Sequence, residues 1–542
     1  MSETADIVFK NGTIITVNSK DEVAEAAAVK GKKILFVGKN ADVESFCGAD
    51  TKVIDLEGKS LVPGFIDAHM HFMMYALFYK ETIDIAFDKV QTIEGIKELI
   101  RKAAAEKKPG EWICLWGYDQ NKLLDKRHPT IDDLDEAAPD NPVQCVRCCG
   151  HMGVYNTKAL EIGKITGPDQ FAPGEVVVDA AGRMTGLLKE TPNDMLWGYI
   201  EHSDEALKEG YRAFGDLMLK SGITSIHDAG TYGGQFVKVL QDVIDDGTFP
   251  VRMYVIYYNV LGKQASRDWI YHLIDTGLHT GLGNEHFKVG AAKILLDGST
   301  SGPSCATREP YSHDPDLKGI LNWTQEEVNE IFLDAQKAGF QVTAHAVGDM
   351  AVEQAINGIE YALKNCPKEN HRNRIEHCGL TDEALIERVR ELGIVPISNP
   401  GFFTINGSDY NRYYGKRVDS MFAAKTYKEK GIVTAFGSDC SVINENPMLG
   451  IYGAVTRKDM NTGEACGECQ KISIMDAIRC YTYNGAYASF EEDIKGSIEA
   501  GKLADLVVLS ENILETDPER IPEIKVEKTI IDGKILYERD DI

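Results

Sequence analysis

A chain of 542 residues, 43% hydrophobic and 26% charged, is long enough to bury large cores and reads as a soluble globular protein of two or more domains. Its 58 basic against 84 acidic residues leave a net charge of −26, which argues against a nucleic-acid partner, where Lys and Arg must dominate. No apolar run of about 18 residues offers a membrane span. The opening Met1-Ser-Glu-Thr-Ala-Asp has neither the basic nor the apolar part of a secretory signal, and the 12 cysteines are scattered through a long chain, so a reducing cytoplasm is expected.

From Asp6 to Val62 short strand patterns follow one another. Asn11-Gly12, a hairpin-turn pair, divides two apolar runs, and Lys52-Val-Ile-Asp-Leu continues the style. The far end matches it with Leu503-Ala-Asp-Leu-Val-Val-Leu, Val526 to Ile531, and Asp532-Gly533 before Lys534-Ile-Leu-Tyr. Neither part closes a core alone, so residues 1–62 and 490–542 are expected to form one composite β-sandwich domain.

Between them, strand-like runs begin at Phe65, Ile223, Val251, Phe287, Phe340, Asn373, Ile394 and Ile432, most followed by an amphipathic stretch. Thr324 to Ala338 is the clearest helix, with Thr324 as N-cap and Glu327 completing a capping box. Strand–helix alternation about eight times over predicts an α/β fold, a (β/α)8 TIM-like barrel over 63–489. The interval from Phe72 to Leu219 is too long for one crossover, and an α+β insertion over 80–215 is expected to cap the active face.

Chemistry collects at the carboxyl ends of such strands. His69 and His71 lie two apart, hence on one face of the first strand, and two imidazoles so placed can hold one metal ion. Lys293, His345, His377 and Asp439 end or nearly end the fourth, fifth, sixth and eighth runs. Each alone is more often a structural residue, but a buried Lys is costly to leave charged, and five candidate ligands accompany it. The C-x-x-C spacings Cys145/Cys148 and Cys466/Cys469 are far apart in the chain and read as core or loop thiols.

This ordered set, with Val62-Pro-Gly-Phe-Ile-Asp67 before His69, resembles the amidohydrolase superfamily of metal-dependent hydrolases. The finer match, to family 3 and its YtcJ-like branch with the N-substituted formamide deformylases, rests on Leu134-Asp135, Gly150-His151, Lys293 through Ser299, Pro310-Tyr311, Ala344 to Asp349, Arg374-Ile-Glu-His377, Gly437-Ser-Asp439 and Gly496 to Asp505, and spans essentially the whole chain. The resemblance implies hydrolysis of a non-peptide C–N bond in a small-molecule amide or N-acyl amine, and a divalent metal site. His69 and His71 would hold one ion, His345 and His377 a second, and a carboxylated Lys293 would bridge two ions, most simply zinc, though iron, manganese or cobalt suit the same ligands. Asp439 would ligate the first ion and shuttle the proton. A single-ion site with unmodified Lys293 is the alternative. His151, Arg374, Asp297 and Tyr311 are the expected substrate contacts, and His227 is weighed as a structural histidine against a site-facing one.

The loop Gly298-Ser-Thr-Ser-Gly-Pro-Ser-Cys-Ala departs from the family's usual G-S-L-G-S-R-T-A flavour, which bears on the substrate more than on the mechanism. Ring deamination, ester or phosphotriester hydrolysis, and a non-catalytic descendant are the competing readings; no ligand is missing, as it would be in the last. A homodimer is expected from the general frequency of dimers and from the resemblance.

Overall fold

In the computed structural model, which describes residues 4–231 and 233–540, eight strands follow one another round a barrel. They are β1 (Phe65–Met70), β2 (Ile223–Asp228), β3 (Arg252–Tyr257), β4 (Phe287–Leu295), β5 (Val342–Ala346), β6 (Arg374–His377), β7 (Val395–Ser398) and β8 (Ala435–Phe436). Each pairs in parallel with its neighbours in sequence, from β1 with β2 to β7 with β8. Beyond β8 two backbone hydrogen bonds draw the ring together, Asp439 N–H to His69 O at 2.7 Å and His71 N–H to Cys440 O at 2.8 Å. The barrel is nearly closed, as the eight runs in the sequence predict. Only the last run is shorter than expected. At Gly437 the chain lies hard against β1, where a Cβ would meet the backbone N of His69 at 2.5 Å.

The helices between strands bury one stripe each. In Asp204–Lys220 the stripe is Leu207, Tyr211, Phe214 and Met218, a helical period set against the outer face of the barrel. Gln325–Lys337 starts at the predicted capping box, Thr324 Oγ1 accepting from Glu327 N–H and the Glu327 carboxylate from Thr324 N–H. Thr324→Ala should cost about 1 kcal/mol, read as a lower thermal midpoint, without changing the site.

Two further sheets come from the N- and C-terminal strands. One has the order Lys33–Gly38, Ala26–Lys30, Ile7–Lys10, Lys52–Asp55; the other has Lys534–Glu538, Val526–Ile531, Leu506–Leu509, Ser60–Pro63, Thr13–Ile15, Val23–Ala24. They share a core of Phe9, Ile14, Val29, Leu61, Leu506 and Ile530. Asp532-Gly533 is the predicted hairpin turn, both residues having positive φ between antiparallel strands. Asn11-Gly12 is not a hairpin. The strands on either side of it belong to different sheets, and it carries the chain from one to the other past Leu56, whose side chain leaves no room for a Cβ at Gly12. Arg252 on β3 ties this layer to the barrel through Asp505 (2.7 Å) and Asp532 (2.6 Å). Residues 1–3 and 541–542 of the expected terminal domain lie outside the described residues.

The long interval after β1 folds as a six-stranded mixed sheet running from Val176–Val178 at one edge to Ile83–Asp84 at the other, with its own apolar core. Among the described residues no helix is long and apolar enough to cross a membrane, and none of the twelve cysteines is in a disulfide. Cys145 packs inside the insertion and Cys466 in a separate cluster under Tyr410 and Tyr414.

Candidate active site

At the carboxyl end of the barrel a cavity is lined by His71, His151, Lys293, His345, His377 and Asp439, with Trp116, Trp197, Tyr258 and Val442 among its walls. The alternation of β1 puts Asp67, His69 and His71 on one side. Their roles split by depth: Asp67 accepts the backbone N–H groups of His69 (3.1 Å) and Ser438 (3.1 Å) below, and the two rings stand above at 5.5 Å.

Around these rings the hydrogen bonds settle which nitrogen faces the cavity. Glu376, held well below the usual carboxylate range because Arg374 and His69 outweigh its burial, can only accept, so His69 donates to it through Nδ1 at 2.5 Å and turns a lone pair on Nε2 inward. His377 donates through Nδ1 to Asn399 Oδ1 at 2.7 Å; Asn399 is oriented by its own donation to Gly437 O at 2.9 Å. His345 donates through Nε2 to Gly298 O at 3.1 Å, which leaves its Nδ1 lone pair free. Its ring stands 4.5 Å from that of His377, which is 4.7 Å from that of His69.

Asp439 Oδ1 sits 3.3 Å from His69 Nε2 and 3.4 Å from His71 Nε2. His69 Nε2 and His71 Nδ1 are buried and have no hydrogen-bond partner. Burial, helped by the nearby Lys293 or by neighbouring imidazoles, keeps His71 and His345 well below the usual imidazole pKa and His377 at about 3, so all three are neutral, the form that binds metal. In His69 the carboxylates of Asp439 and Glu376 outweigh burial and raise the pKa, the mark of a negative field that a cation would answer. One ligand atom each from His69, His377 and Asp439 falls within 4.8 Å of the others. An orphaned imidazole nitrogen, His69 Nε2, beside an acceptor-only carboxylate and neutral imidazoles is what a divalent ion requires, and the residues fit one.

Lys293, on β4, is fully enclosed; burial pushes its pKa down to about 8, and it donates to Ala229 O at 2.9 Å. His151 comes from the insertion. Burial works against its charge, but the Glu190 carboxylate at 2.9 Å more than offsets this and raises it to about 10, so an imidazolium faces the cavity 5.5 Å from the His345 ring. Three residues of the site, His377 (φ 69°), Asp439 (φ 57°) and Glu190 (φ 50°), are non-glycine residues in the left-handed region. At His377 this breaks the strand's alternation. Arg374 and Glu376 point into the barrel, and the next side chain is re-aimed over the cavity instead of outward.

Three expected substrate contacts lie elsewhere. Arg374 is sealed inside the barrel, donating to Glu376 (2.8 Å), His227 Nδ1 (3.0 Å) and Ala68 O (2.7 Å); it braces β1 and β2 beneath the site and does not reach the cavity. The same contact makes His227 part of the barrel interior. Asp297 accepts backbone N–H groups of Ala306, Val347 and Gly348 at 2.7–3.0 Å, pinning the loops after β4 and β5 together. Tyr311 donates to Cys305 O at 2.7 Å and packs on Tyr414, outside the cavity lining.

A model of the amidohydrolase family matches residues 52–537. The chain belongs to that family. It is 29% identical to YtcJ of Bacillus subtilis, named as an amidohydrolase, over 98% of this chain and 99% of that one. It is 27% identical to the N-substituted formamide deformylase of Arthrobacter pascens over 99% of both. A metal-dependent hydrolase from Pyrococcus horikoshii has the same fold, with a TM-score of 0.74 at 23% identity over 95% of this chain and 99% of its own.

Trp197 in the wall of this amidohydrolase cavity, and Glu376, Asn399 and Glu190 behind its histidines, go unassigned in the sequence. Glu376 was within reach, since it lies two from Arg374 on a strand and beside His377. Asn399, Glu190 and Trp197 had no signal, because their partners are distant in sequence.

Proposed function

We propose that this amidohydrolase cleaves a non-peptide C–N bond, in an amide or an N-acyl or N-formyl amine. The observation that carries the reading is the group of inward-facing imidazole lone pairs around Asp439, joined to family membership and to a full-length relative named as a formamide deformylase. His69, His71, His345, His377 and Asp439 would hold one divalent ion or two, with Lys293 as a carboxylated bridge in the second case; zinc suits this donor set. Such an ion supplies the Lewis acidity that makes water nucleophilic at neutral pH.

Asp439 is the proton carrier. Its carboxylate, kept well below the usual range by the surrounding imidazoles despite burial, takes a proton from the attacking water and gives it to the leaving nitrogen. The His151 imidazolium donates a hydrogen bond to the carbonyl oxygen as charge builds there. Lys293, with a pKa of about 8, keeps part of its amine uncharged near neutrality, as addition to carbon dioxide requires. Trp116, Trp197 and Val442 screen the cavity from bulk water.

The test is elemental analysis of the purified protein together with an amide panel. About two ions per chain, loss of turnover on chelation and recovery on adding zinc are expected. A ratio near one removes the Lys293 bridge, and full turnover in the metal-free protein overturns the reading.

A further inference from the structure

Beside the first cavity lies a second, between the insertion at Phe171 and Met195 and the barrel loops at Leu261, Ala265, Leu321 and Trp323. The two share Asp194, Tyr258 and Leu295 as a common wall. Leu295 stands two residues beyond Lys293 on β4, hence on the same face, and Tyr258 directly follows β3. The shared wall is therefore on the β3–β4 side of the mouth. Asp439 follows β8, which in a ring of eight lies across the axis from β4.

Most polar groups of the second cavity are engaged, with one another or with neighbours outside it; the Ser266 hydroxyl is buried with no hydrogen-bond partner. Glu175 accepts from the Thr191 hydroxyl (2.9 Å), Glu190 from His151 (2.9 Å), Lys263 donates to Glu327 (2.7 Å), and the Trp323 indole donates to Leu295 O (2.8 Å). What remains for a ligand is mainly apolar side-chain surface.

Resting on the reaction proposed above, the leaving nitrogen must lie toward Asp439, so in an extended amide the substituent on the carbonyl carbon points the other way, over Leu295. We propose that the second cavity is an acyl chamber, and that the substrates of this enzyme are amides of bulky, apolar carboxylic acids. The acyl half passes Tyr258 and Leu295 and seats between Phe171 and Trp323. A formyl or acetyl group leaves that space unfilled, and the apolar surface is then not used for binding.

The experiment uses a mirrored pair of probes, N-methyl-2-naphthamide with the ring on the acyl side and N-(2-naphthyl)formamide with the ring on the amine side. Ala265→Trp narrows the chamber from the first turn of Lys263–Asp275, and Ala172→Trp does so from the opposite, exposed wall. In the wild type the naphthamide is preferred in kcat/KM. Either variant lowers the ratio of the two kcat/KM values by about tenfold or more. Calorimetric binding of 2-naphthoate, which needs no turnover, weakens by about the same factor. Equal losses on both probes, or a loss confined to the formamide, overturn the acyl assignment. If the wild type cleaves neither probe, the C–N reading falls, while the naphthoate titration still decides the chamber: binding unchanged in both variants overturns it.

Discussion

Asp439→Asn removes turnover of every amide substrate, by on the order of 10²–10⁴-fold from lost acid–base chemistry alone. The replacement keeps the shape and one oxygen but cannot take the proton of the attacking water. It also withdraws a negative charge from a point 3.3 Å from His69 Nε2 and 3.4 Å from His71 Nε2, where it favours the retention of a cation. The two losses separate by measuring kcat and metal content on the same preparation. A variant that keeps its ions and loses turnover marks Asp439 as the proton carrier; one that keeps full turnover removes it from the mechanism.

Glu376→Gln is the second large effect, and it falls first on stability. The carboxylate accepts from His69, Arg374 and Thr343 and is fully enclosed, as is Arg374. Taking the charge from one partner of such a pair strands the other, at a cost of about 3–5 kcal/mol. The thermal midpoint falls accordingly. Because the same carboxylate fixes the His69 tautomer, ion affinity drops by about 10–100-fold as well. Metal titration followed by spectroscopy or calorimetry reads that second effect independently of unfolding. An unchanged affinity would show that His69 needs no carboxylate to aim it.

Much of the architecture was legible because it is written in short periods. The two-residue period of Asp67, His69 and His71, the recurrence of apolar runs and the Thr324–Glu327 capping box each need only a few neighbouring residues, and each is where it was expected. The errors come from pairings that local sequence does not carry. Asn11-Gly12 reads as a hairpin because the turn chemistry is right, yet its flanking strands pair with residues between Val23 and Leu61 instead of with each other. Arg374 reads as a substrate contact because it is a cation near a ligand; strand alternation, applied strictly, would have turned it inward with Glu376. The position of His377 over the cavity depends on a left-handed backbone at a non-glycine residue, which no propensity predicts.

The pairing of Ser60–Pro63 with Leu506–Leu509 has a consequence for how the molecule is made. A ribosome adding 5–20 residues per second needs roughly 20–90 s to travel from Pro63 to Leu506. For that time the nascent polypeptide carries an unmatched β edge ending two residues before the first barrel strand. Chaperone dependence during translation, relieved in a circular permutant that brings the two strands together early, is the expected cellular signature.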